Sequence, residues 1–130
     1  MKTSSYGMRR TLDCSFEEAI EKVTAELQES GFGILTEIDV KETLKKKLDV
    51  DFSKYRILGA CNPHYAYKAF QAEREIGLLL PCNVIVYEET GKTVVSMLDP
   101  AAMFSLVGKD EVKQLAEDVR EILSKVLERL

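Results

Sequence analysis

Two cysteine–asparagine pairs, each beside a proline, are the residues of this chain best suited to chemistry: Cys61-Asn62-Pro63 and Pro81-Cys82-Asn83. Asparagine followed by proline opens a helix, the side chain capping free N–H groups and the proline filling the first position, where no donor is needed. Cys61 would then sit beside the positive end of a helix, a setting that favours thiolate and binds anions. Cys82 follows a proline that removes one backbone donor and leaves polar groups for a ligand. Brought together, the two sulfurs could act as nucleophile and resolving thiol, provided their Cα atoms lie within about 7 Å. With His64 they would make three ligands for zinc or copper, but the tight paired spacing of thiolate sites is missing, so neither metal nor cofactor is expected. Asp99-Pro100 repeats the cap-and-proline device. The candidate ligand-binding set is therefore Cys61, Asn62, Cys82, Asn83 and Asp99. The competing structural reading makes the thiols small core hydrophobes and the polar residues caps. Tyr55, Tyr65, Tyr67 and Tyr87 could line a pocket nearby, or simply pack in the core.

Other catalytic signatures are missing. No serine stands in a nucleophile elbow, and the chain has neither a phosphate-binding loop nor a G-x-G-x-x-G. Asp39 and Asp99 could serve as acids or bases, but both stand where helix caps belong. No catalytic constellation is recognisable.

The elements that must hold these residues follow from periodicity. Ser5–Leu12 alternates as a half-buried strand, with Arg10 the exception on its apolar side. Ser15 and Glu18 form a capping box for a helix marked by Phe16, Ala19, Ile20, Val23 and Leu27, and Gly31 stops it. A strand over Phe32–Ile38 leads to a short helix capped by Asp39, with apolar marks Val40, Leu44 and Leu48, whose other face carries Lys45, Lys46 and Lys47, a run that could bind an anion but reads first as a solvated face. Tyr55–Cys61 is the third strand, where Gly59 signals a bulge or a close approach. A helix follows Asn62-Pro63, reaching about Glu73. Leu78–Tyr87, the longest apolar run, reads as a buried fourth strand in which Pro81 demands an edge, a bulge or a late start. A glycine turn at Glu88–Lys92 returns the chain into Thr93–Leu98, antiparallel to it. After a short turn over Ala101–Leu106, one apolar stripe from Val112 to Leu127 predicts a long final helix over Asp110–Leu130. The whole predicts an α+β two-layer sandwich: a mixed sheet of about five strands with helices packed on it.

Composition narrows the function classes. At 130 residues the chain is expected to form one domain with a core of its own. The net charge of −4 gives no electrostatic footing for nucleic acid. No apolar stretch approaches the ~20 residues of a membrane span, and Met1–Arg10 lacks the apolar core of a signal peptide. Three cysteines, an odd number without C-x-x-C, argue against a secreted disulfide scaffold. A cytoplasmic protein with reduced thiols is expected.

The sequence also resembles the DUF302 family, small bacterial and archaeal domains of unknown function. The resemblance rests on Gly31-Phe32-Gly33, Thr36–Val40, Lys47-Leu48, Tyr55–Pro63, Gly77–Val84 and Asp99-Pro100, in that order and over nearly the whole chain. It implies a compact α+β domain, with a homodimer among its expected states, and it carries no reaction with it. The function expected is a non-enzymatic module binding a small ligand or protein partner near the two Cys-Asn pairs. The alternative is a thiol-dependent redox or sulfur-transfer protein using Cys61 and Cys82.

Overall fold

The computed structural model describes residues 2–130. The strands are β1 (Lys2–Thr3), β2 (Gly7–Leu12), β3 (Gly33–Asp39), β4 (Tyr55–Cys61), β5 (Cys82–Glu89) and β6 (Lys92–Leu98). The α-helices are α1 (Phe16–Glu29), α2 (Val40–Leu48), α3 (Pro63–Ala72), α4 (Pro100–Phe104) and α5 (Asp110–Glu128), with a 3-10 turn at Arg74–Leu79. The α+β expectation holds, with five long strands and the two-residue β1 in the order β1-β2-β6-β5-β4-β3.

The sheet is antiparallel at every pairing, which corrects the expected mixed sheet. The physical reason lies in the connections. The β3–α2–β4 and β4–α3–β5 segments join neighbouring antiparallel strands, so their helices return to the sheet end they left. Only α1 makes a true crossover, carrying the chain from β2 to the far edge at β3. A helix between two strands does not by itself dictate parallel pairing.

The fourth predicted strand is also shorter than expected. Leu78 and Leu79 belong to the 3-10 turn, Leu78 is 82% exposed, and β5 starts only at Cys82. Pro81 has no N–H to give a ladder, so the strand begins after it. The β5–β6 turn uses Thr90 and Gly91, both at positive φ, as a tight two-residue hairpin requires.

The inner face presents Met8, Leu58, Val84, Val86, Val95 and Met97 to α1 and α5. These helices answer with Ala19, Val23, Leu27, Val119, Leu123 and Val126, all buried. Each valine, leucine and methionine among them contributes about 1.5–3 kcal/mol on leaving water. Arg10, the odd residue on this face, is explained by the end of α5. Its Nη1 donates to the carbonyls of Leu127, Glu128 and Leu130 at 3.2, 2.9 and 3.1 Å, supplying partners for helix-terminal oxygens. A second cluster, Ala69, Ile76, Phe104, Val112 and Ala116, holds α3 and α4 to the first half of α5.

Candidate functional site

Cys61 ends β4 and Cys82 begins β5. In the ladder Ala60 lies opposite Cys82, so the two cysteines stand one step apart on neighbouring strands. Both line one apolar cavity, closed from above by Tyr65, Ala66 and Ala69 of α3 and from the side by Leu115 and Val119 of α5. Phe32, Leu80 and Phe104 complete its walls. Its volume is about 30 Å³, close to the share of one water in the liquid and far below the roughly 300 Å³ of a small-molecule pocket.

Local chemistry explains how these groups arrive there. Asn62 Oδ1 accepts from the His64 and Tyr65 N–H groups at 3.1 and 3.4 Å, with Pro63 at the first helical position. That cap directs α3 back over the strand ends. Gly59, two residues before Cys61, is required by space. A Cβ there would fall on Thr36 Oγ1 and lie 2.8 Å from Pro81 Cγ. β3 bulges between Ile34 and Thr36 opposite this glycine, so both readings of Gly59 apply together.

The cavity makes poor surroundings for a thiolate. Burial pushes the Cys61 thiol up from its ordinary 9.0, overriding the helix end expected to lower it. Cys82 is pushed up to about 11, first by burial and then by the neighbouring Cys61. Cys82 is therefore a protonated thiol at neutral pH.

The structure therefore brings Cys61, Asn62 and Cys82 together and leaves the other candidates apart. Asn83 is exposed, alternation turning it to the opposite sheet face from Cys82. Asp99 is occupied as the α4 cap, accepting from Ala101 N–H at 3.0 Å, and its second oxygen takes Arg120 Nε at 3.0 Å. His64 is exposed and is absent from the cavity wall. Among the described residues no group of three or more His, Cys, Asp or Glu is gathered for a metal ion. Of the tyrosines, Tyr65 lines the cavity, Tyr55 and Tyr87 stack with ring centroids 5.4 Å apart, and Tyr67 is 66% exposed. The sequence marks Ala66 and Ala69 only as positions of the helix after Pro63, not as site residues. Their small size and i, i+3 spacing on one face of α3 are the signal that a gap lies beneath them. Cys14 stands apart, its carbonyl accepting from the buried Thr93 hydroxyl at 2.8 Å.

Residues 8–130 match the family model described as a domain of unknown function, DUF302. Among solved structures, the chain is similar to an uncharacterized conserved protein DUF302 from Bacillus stearothermophilus. The two share 29% identity and superpose with a TM-score of 0.91, covering 97% of this chain and 98% of the other. No protein of curated function matches. Among the described residues no helix is long and apolar enough to cross a membrane.

Proposed function

Because the chain belongs to the DUF302 family, whose description names no reaction, we propose its role from its own geometry: a non-enzymatic module that binds a small apolar group beneath α3. The observation that carries this reading is the cavity itself, where both Cys-Asn cysteines meet walls almost wholly of carbon. The thiols serve there as soft, polarizable lining. Asn62 positions the lid helix, while Asn83 and Asp99 stand outside the ligand's reach.

At its resting volume the cavity admits only a water-sized group, so binding requires α3 to lift. α3 buries only Ala69 fully, but Tyr65 and Ala72 pack half-buried against the two core clusters, so lifting it must undo those contacts as well. The cytoplasm is the proposed setting, where free thiols stay reduced; all three cysteines are free. The rival, a thiol redox or sulfur-transfer protein, draws on the same pair of sulfurs. It needs a thiolate, and burial drives both groups the other way.

A series of straight-chain alcohols titrated against thermal unfolding tests the proposal. Ligand that binds only the folded state raises Tm with concentration. The expected result is a rise for the wild type that is lost in Ala66→Leu, whose added methylenes fill the gap. Equal rises in both proteins, or none with any alcohol, would overturn the reading.

A further inference from the structure

Two soft sulfur donors share one carbon-walled space in this fold. Ala60 is the ladder partner of Cys82, so Cys61 stands one residue along the neighbouring strand. With paired Cα atoms about 5 Å apart and a rise of ~3.4 Å per residue, the Cα atoms of the two cysteines are separated by about 6 Å. That lies inside the range at which two cysteine sulfurs reach each other. Both residues line the cavity, and the Cys61 sulfur is near enough to disfavour charge on Cys82. The third cysteine, Cys14, is absent from the cavity wall.

The walls decide what such a pair can hold. No lysine or arginine stands among the lining residues, so a bound species with net charge would go unanswered in an apolar space. Cuprous copper joins two thiolates but leaves the pair with a net negative charge. Zinc takes about four ligands, and among the described residues no third His, Cys, Asp or Glu joins the two cysteines. Trivalent arsenic escapes both limits. As neutral arsenous acid, As(OH)₃, it exchanges two hydroxyls for two sulfurs and keeps the third, so its coordination is complete without a further protein ligand.

We propose that Cys61 and Cys82 form a chelating site for trivalent arsenic beneath α3. This rests on the reading of the cavity as the binding site and names the class of its occupant. Each S–H gives its proton to a departing hydroxyl, two As–S bonds replace two As–O bonds, and two waters leave. Nothing is oxidised or reduced, and protein and ligand stay uncharged. The fragment that remains, arsenic with one hydroxyl, is small enough to match a cavity of about 30 Å³. α3 opens to admit it, while the sulfurs keep their places because β4–β5 pairing, rather than the helix, holds their backbone.

Elemental analysis after gel filtration tests this, on the reduced full chain incubated with sodium arsenite at about pH 7. The expected result is one arsenic per chain in the wild type and in Cys14→Ser, with the intact mass raised by AsOH less two hydrogens. Cys61→Ser and Cys82→Ser should each hold roughly tenfold less or lower still, since one sulfur alone loses the chelate. Cys61 is only half-buried, so its variant keeps the far-ultraviolet circular dichroism of the wild type and carries the test if Cys82→Ser does not fold. A wild type that retains no arsenic overturns the proposal, as does a folded Cys61→Ser that retains it. If alcohols still raise the Tm of a wild type that holds no arsenic, the arsenic site falls and the cavity reading stands; if neither effect is seen, both fall.

Discussion

Replacing Cys82 by alanine should change how stability depends on alkaline pH, and the structure sets both the size and the sign of the effect. Cys82 is 6% exposed and its thiol is pushed from 9.0 to about 11. The folded state thus holds its proton more tightly than the unfolded chain does. With a raised folded pKa, the stabilisation is fully present below about pH 9 and is lost as pH climbs toward 11. Two units correspond to roughly 2–3 kcal/mol, falling by about 1.4 kcal/mol per pH unit across that window. The alanine variant loses the buried sulfur and starts lower at neutral pH, by about 1 kcal/mol. It has no thiol to ionise, so its curve lacks this descent. Cys61 and Tyr55 are also raised, chiefly by burial, and add a descent shared by both proteins. Urea unfolding followed by circular dichroism from pH 7 to 11 therefore predicts a crossing, with wild type the more stable at pH 7 and the variant at pH 11. A constant gap across the range would refute the buried-thiol account, and with it the argument against a resting thiolate.

Two further substitutions probe how the cavity is held. Asn62→Ala removes the acceptor for the His64 and Tyr65 N–H groups and should cost about 1 kcal/mol in urea unfolding, with Asn62→Asp restoring most of it. Full stability in Asn62→Ala would show that the cap does not hold α3. Gly59→Ala places a methyl against Thr36 and Pro81 and should destabilise by roughly 1–3 kcal/mol. Adding Thr36→Ala removes the nearer obstacle and should recover part of that loss; simple additivity of the two changes would argue against direct contact.

Helix boundaries were legible in the sequence because they are local. The caps at Ser15, Asp39, Asn62 and Asp99 each accept an N–H two or three residues on, and each is encoded within four residues. The start of β5 was legible only as a set of options. Pro81 forbids a ladder donor wherever it stands, and tertiary context chose the late start. Ladder direction was not legible, since a helical connection of this length serves parallel and antiparallel neighbours alike. Arg10 looked like a broken pattern because its reason, the α5 terminus, lies 117 residues and more away.

The same division runs through the candidate site. The sequence alone determined that two cysteines stand at strand ends beside helix-starting or strand-delaying residues, since asparagine, proline and glycine act on their own backbone neighbourhood. The tertiary structure alone decided that Cys61 and Cys82 share one apolar cavity while Asn83 and Asp99 do not. Strand pairing and the return of α3 set that grouping, and neither is written in local spacing. Burial, a property of everything packed around the sulfurs, then raised both thiols, Cys61 in the direction opposite to that expected from the helix end beside it.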